Sequence, residues 1–446
     1  MFRLLHWIPG CRTPRHIRYH SEKSPPPVIP DIGPTFSHVP PPTRPIPESH
    51  YHRRLIDEDF PQVIRNPSYE AKYQKYQYPH PMQQEVTPSP LRHASPQPRV
   101  PRRGSSRRAR GGRSNLSTRA HDSSQNNAVT RRRIADETLA AIERGEIQHQ
   151  GSTYRFRDVV SHSIDNTIHF PPESILATWS TSAPASSSLL PAQLELCQGS
   201  TLQRARALLQ ELNATSAGDG DGPPRVGVLS FASATKPGGG FLSGAHAQEE
   251  SLARASTLYA SLVTSTSTRF YDHHKRDRRG GFYSHAMIFS PSVIVLRDDA
   301  GRWVPPYQIE VVTSAAVNAG VVRERAGENP DPDIGARIEG VMRERMARIL
   351  FLFEQQGIRN IVLGSFGTGV FRNDVSMIAD IWFDLLAEEG ARFMHSFDRV
   401  VFGIIDSRTL ERFKAVFQSR IDSQSSTSRG SETTPETPRS VLRVVE

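Results

Sequence analysis

The stretch VGVLSFASATKPGGGFLSGAHAQEE, residues 226–250, decides how this chain is to be read. It opens on Val226 to Phe231, an uncharged apolar run of strand length, as expected of a strand buried on both faces of a sheet. It then enters Gly238-Gly239-Gly240 and reaches Gln248-Glu249-Glu250 at the start of a helix expected to run to about Leu262. A second passage, IVLGSFGTGVF at residues 361–371, repeats the plan. The strand Ile361 to Leu363 meets Gly364, Gly367 and Gly369, and a helix follows with Ile378, Ile381, Trp382, Leu385 and Leu386 on one face. Strand, glycine loop and helix in succession imply an α/β sheet whose ligand site lies where the strands end.

Working outward, Leu194 to Cys197 predicts a strand, and Leu202, Ala205, Leu208, Leu209 and Leu212 the apolar face of the next helix. Met287 to Leu296 predicts one or two strands, and Ile309 to Thr313 another. Ile334, Ile338, Val341, Met342 and Ile349 fall at helical spacing, with Gly357 placed to stop that helix. Val400 to Ile405 predicts a last buried strand and Thr409 to Phe417 a last helix.

Before residue 128 the chain is a different material. Of the 446 residues 35 are proline and only 36% are hydrophobic, and the early part is rich in Pro, Ser, Arg and His with no apolar period. The reading is a disordered arm over 1–127, a helical extension over 128–173 that includes a helix from Arg131 to Glu146, an α/β domain over 174–418, and a disordered tail over 419–446. The formal charge of +9 is concentrated: seven arginines lie from Arg102 to Arg119 with no acid among them. Such a run is either a solvated arm or a segment that binds polyanions. Cys11 and Cys197 are the only cysteines, which gives no disulfide framework and no zinc spacing. No apolar run approaches the ~20 residues that span a bilayer, so no membrane association is expected. The first 21 residues carry arginines and no acid, a faint likeness to a mitochondrial presequence that Pro9 and Pro14 would interrupt. Nucleus or cytoplasm is otherwise the expected compartment.

Taken alone, three glycines read as a flexible turn, and acids in a helix's first turn as partners of its dipole. Together they read differently. Side-chain-free backbone lets amides converge on an anion or sugar, and a carboxyl within a few residues can do acid/base chemistry there. The second loop lacks the Lys-Ser/Thr of a Walker loop but suits a diphosphate held by amides and a helix N-terminus. Adjacent helical residues point about 100° apart, so one glutamate is expected to do chemistry and the other to hold the sugar. A reactive carboxyl needs its pKa raised, and Phe366, Phe371 and Tyr283 are candidate enclosing walls.

Read through from Leu229 to Leu258, the segment resembles the signature of poly(ADP-ribose) glycohydrolases of the compact microbial type, a branch of the macrodomain superfamily. The resemblance continues at Met287 to Pro291, Thr313 to Asn318 and Gly367 to Asp374, and covers roughly Arg131 to Phe417. It implies a three-layer α/β/α sandwich with a mixed, mostly parallel sheet. It implies that Glu250 is the catalytic acid/base and that Glu249 bonds the ribose being cleaved. Gly238, Gly239 and Gly240 are expected to wrap the ribose and diphosphate, Gly367, Thr368 and Gly369 to hold the diphosphate from the other side and Phe371 to pack against the ribose, with Gln248, Gly364, Phe366 and Val370 also expected to touch substrate. The implied reaction is hydrolysis of the ribose–ribose bond of poly(ADP-ribose) from chain ends, without metal or cofactor, by a monomer acting on the polymer and on ADP-ribosylated proteins. The arginine-rich arm is expected to add weak affinity for nucleic acid or other polyanions. Ser230, Lys236, His285 and Val375 depart from the residues common in relatives, which touches ligand contacts rather than the catalytic pair. The alternative is a reader that binds ADP-ribose without cutting it.

Overall fold

The structure, a computed structural model, describes residues 115–184, 190–215, 223–328, 331–428 and 442–445. The proline- and arginine-rich arm up to Ser114, read as disordered, lies outside the described residues.

The described chain begins with helix α1 (Asn115–Arg144), the hairpin β1 (Glu146–His149) and β2 (Ser152–Arg155), helix α2 (Arg157–Asp165) and strand β3 (Ile168–Phe170). Next come β4 (Gln193–Gln198), α3 (Thr201–Thr215), β5 (Val226–Phe231), α4 (Gln248–Ala255), α5 (Leu258–Leu262) and α6 (Ser265–Arg276). The antiparallel pair β6 (Met287–Arg297) and β7 (Trp303–Ser314) precedes α7 (Ala319–Glu328) and α8 (Ile334–Gln355). Strand β8 (Asn360–Leu363), α9 (Val375–Leu386), β9 (Arg399–Ile404), α10 (Ser407–Ser428) and β10 (Leu442–Val445) complete it.

Eight strands form one sheet in the order β10-β4-β9-β8-β5-β7-β6-β3. The pairs from β10 to β7 are parallel, and β6 and β3 close the other edge antiparallel. The sheet is therefore mixed and mostly parallel. Successive residues of a strand face opposite sides, and the core divides accordingly. Leu229, Val312, Leu363 and Phe402 face α8, α9 and α10, while Val228, Val311, Val362 and Val401 face the layer of α3 to α6. Burial on both sides explains why the central strands are continuous apolar runs, and the layered α/β/α arrangement is the one expected.

The sequence reading needs correction at the margins and at one helix. Order extends further than expected at both ends: α1 starts at Asn115 rather than near Arg131, and α10 runs on to Ser428 instead of stopping near Ser419. Arg420 fixes that last part of the helix by reaching Asp384 and Glu388 at 2.5 Å each. Strand β10 then pairs with β4 inside the supposed tail. The extension read as helical contains a hairpin and the edge strand β3, paired with β6. The helix expected from Gln248 to Leu262 is broken at Ser256, which is extended and bridges Val295, while Thr257 N donates to Ile294 O at 2.9 Å. Met287 to Leu296 is one strand, irregular between Ser290 and Val293.

Candidate active site

Strands β5 and β8 are parallel neighbours, with Val228 opposite Val362, so the two glycine loops leave the same edge of the sheet. They also touch: a Cβ placed on Gly364 would lie 3.1 Å from the Phe231 ring. One cleft edge therefore carries both.

Gln248 joins α4 to the end of β5. Its Oε1 accepts from Phe231 N at 2.8 Å, and its Nε2 donates to Leu229 O at 2.8 Å and Thr201 Oγ1 at 3.1 Å. A residue expected to touch ligand thus spends its amide on the scaffold. Next to it, Glu249 is buried, its Oε2 accepting from Ser233 N at 2.7 Å while its buried Oε1 has no protein partner. Half-buried Glu250 accepts from Gly240 N through Oε1 at 3.0 Å. Gly238 and Gly239 have φ of 65° and 60°, the left-handed region that side chains resist. A Cβ on Gly239 would stand 2.9 Å from the Glu250 carboxyl carbon and 3.0 Å from Glu249 Oε2. The two carboxyls therefore converge on one bare stretch of backbone, although their Cα–Cβ bonds diverge along the helix.

Burial pushes the Glu249 carboxyl well above the ordinary glutamate range, against the hydrogen bond from Ser233 and with the help of the Glu250 charge. The enclosure expected around the reactive carboxyl thus falls on Glu249. Tyr271 of α6 is buried, and its phenol is pushed up first by burial and then by the Glu249 charge.

The loop after β8 is shaped from within. Gly367 has φ of 74°, and Asn373 Nδ2 donates to Gly367 O at 3.0 Å and Val317 O at 2.7 Å. Thr368 Oγ1 donates to Ser365 O at 3.0 Å. The amides of Gly367, Gly369, Val370 and Phe371 have no protein partner among the described residues. Two expectations change. Phe366 lies in the core, 0% exposed with its ring 5.5 Å from Phe231, so it is no wall of the cleft. The following helix begins only at Val375, and its N-terminus is capped by Asp374, which accepts from Met377 N at 2.8 Å. An anion at this loop would meet loop amides rather than the end of α9.

Phe371 and Tyr283 do share the rim, with ring centroids 6.1 Å apart, and Val370 is 80% exposed. Tyr283 has a φ of 55°, maintained by Arg345, which is fully buried in the apolar face of α8. Arg345 donates to Ala315 O and Phe282 O at 3.0 Å and to Tyr283 O at 3.2 Å. Burial, then Arg279 and Arg348, lower its guanidinium to about 9. Sequence reasoning missed Arg345, although an arginine on the same helical face as Met342 and Ile349 was the signal. It also missed Ile405, read as the end of a buried strand but 67% exposed beyond β9 beside the second loop. The catalytic loop has a further support: Arg131 and Arg132 of α1 donate through Nε to Gly244 O at 2.6 Å and Ser243 O at 3.1 Å. Of the departures, Ser230 is buried, Lys236 is exposed, Val375 opens α9, and His285 lines a cavity beyond Tyr283.

Comparison with known proteins accords with this geometry. The family model of the microbial-type PARG catalytic domain matches residues 135–298. The chain is similar to the poly(ADP-ribose) glycohydrolase of Thermomonospora curvata, with 39% identity and a TM-score of 0.55 over 65% of this chain and 99% of that one. Against the same enzyme bound to the inhibitor ADP-HPD the values are 38% and 0.54, with coverage of 65% and 99%. The Deinococcus radiodurans enzyme in complex with ADP-ribose gives 28% and 0.50, covering 61% of this chain and 99% of that one. No curated protein matches significantly. Matched over nearly the whole of a solved glycohydrolase, with two carboxyls gathered on a glycine loop, this chain belongs to the microbial-type poly(ADP-ribose) glycohydrolase family.

Proposed function

We propose that the protein hydrolyses the ribose–ribose O-glycosidic bond of poly(ADP-ribose), releasing ADP-ribose from chain ends, with Glu250 as acid and base. The observation that carries this is the convergence of Glu249 and Glu250 on Gly239, at the sheet edge shared with the loop after β8. The terminal pyrophosphate lies on the free amides of Gly367, Gly369, Val370 and Phe371, and the ribose to be cut sits between Phe371 and the triple-glycine loop. Ile405 and Val370 offer apolar surface to the adenine.

Glu250 donates a proton to the departing ribose oxygen as the C–O bond breaks, leaving an oxocarbenium-like sugar. The resulting carboxylate takes a proton from the attacking water, whose oxygen bonds the anomeric carbon. Glu249, whose carboxyl burial pushes well above the ordinary glutamate range, backs the same loop and holds the ribose beside Glu250. Glu250→Gln is expected to abolish release of ADP-ribose from labelled polymer while changing ADP-ribose affinity by less than about 1.4 kcal/mol, tenfold. Wild-type protein that binds the polymer without shortening it would establish the reader instead.

A further inference from the structure

We propose a second subsite beyond Tyr283 that binds the pyrophosphate of the next polymer unit, the one that departs when the terminal bond is cut. The inference rests on the reading that the sugar is cleaved at Glu250. Its direction comes from the strand order. In the proposed mode the terminal unit runs along the sheet edge from β9, past β8, to β5, where its ribose meets the glutamates. The next strands on that edge are β7 and β6. The turn that leads into β6 comes back to the same edge, where Gly281 O accepts from Asn318 N at 2.8 Å just after β7. A chain continuing from the cut bond in that direction passes over Tyr283.

There the structure holds a cavity of about 680 Å³, lined by Arg278, Arg279, Arg325 and Arg337 with Phe282 and Tyr283. The volume is that of a nucleotide-sized ligand site. Its charge is not internally cancelled. Arg337 pairs with Asp331, the carboxylate in the lining, and Arg279 pairs with Asp277 at 2.8 Å. Arg278 and Arg325 have no carboxylate partner among the described residues. A neighbouring hollow of about 620 Å³ shares Arg278 and Arg279 and sets Arg269 and Arg276 beside Asp272 and Asp277, so a net basic surface continues outward. Phe282 has the Arg337 guanidinium 5.2 Å from its ring centroid, an arrangement on which a purine can also stack. His285, in the same lining, is held neutral at about 2 by burial and then by Arg345, Arg348 and Arg279. Two exposed guanidinium groups without counter-ions beside an aromatic base form a site for a nucleoside pyrophosphate. Each further unit of the polymer supplies one.

The test uses the full chain and oligo(ADP-ribose) of defined length, with the double variant Arg278→Gln/Arg325→Gln. Both positions are exposed, so the fold is not at stake. Affinity for the oligomer should fall about tenfold, and the slope of log K against log salt should flatten by roughly 0.7 per lost phosphate contact, while affinity for free ADP-ribose stays within twofold. Oligomer affinity and slope equal to wild type would overturn the subsite. So would loss confined to single-stranded DNA of equal charge, which would assign the cavity to nucleic acid. Binding is read without turnover: a wild type that fails to cut, paired with a variant that still loses oligomer affinity, would refute the glycohydrolase mechanism and leave the subsite standing.

Discussion

Gly239→Ala isolates the geometry on which the chemistry depends. The new methyl would sit 2.9 Å from the Glu250 carboxyl carbon, about 1 Å inside ordinary carbon–carbon contact. It would also stand 3.0 Å from Glu249 Oε2. The φ of 60° adds a left-handed strain of about 1–2 kcal/mol for any residue with a Cβ. In a domain of this size that lowers Tm by roughly 2–8 °C, a loss the fold survives. The carboxyls must withdraw by about 1 Å, and a displacement of that size costs on the order of 10²-fold in rate. Turnover of labelled polymer and thermal melting, run in parallel, should show kcat/KM down about a hundredfold beside that modest Tm shift. Gly335→Ala serves as the control: it lies in the first turn of α8 with nothing within 4 Å, and should change stability by less than about 1 kcal/mol with unchanged turnover. A Gly239→Ala protein that melts as expected yet keeps kcat/KM within threefold would refute the claim that bare backbone sets the two carboxyls.

Two further outcomes follow. Because burial raises the Glu249 pKa, the stability it contributes is full below the ordinary glutamate value of 4.5 and is lost as pH rises toward the folded value. The Tm of wild type relative to Glu249→Gln should therefore fall steadily from acid to neutral pH, and parallel melting curves would remove the buried proton. Deleting residues 1–126 removes the arginines from Arg102 to Arg119 but keeps Arg131 and Arg132 on the catalytic loop. Tm should move by no more than about 2 °C while polymer binding becomes less salt-sensitive, and an unchanged salt slope would exclude the arm from substrate binding.

The elements legible in the sequence are those whose environment is uniform. Val226 to Phe231 and Ile361 to Leu363 are covered on both faces, so apolar character alone located them. The elements that escaped are decided by what lies beside them. Strand β3 has three residues and β10 four, too few to show a period, and both exist because a sheet edge offers them unpaired backbone. The break at Ser256 is likewise invisible along the chain, since Ser256 and Thr257 abandon the helix only to bond with β6. Phe366 and Phe371 look alike in sequence and lie five residues apart; one fills the core and the other lines the rim, a difference created by the loop's path through Gly367.

The paired glutamates show the same limit at the level of chemistry. Their spacing along a helix argues correctly that the Cα–Cβ bonds diverge, yet it does not fix where long side chains end. Ser233 N draws one carboxyl from one side of the loop and Gly240 N draws the other from the far side. The loop, more than the helix face, therefore decides that the groups meet. It also sets their unequal surroundings, since burial raises the Glu249 carboxyl well above its ordinary range while its neighbour stays half-buried. Two adjacent acids in unequal surroundings are thus brought to one place by a turn of side-chain-free backbone, which the helix alone does not provide.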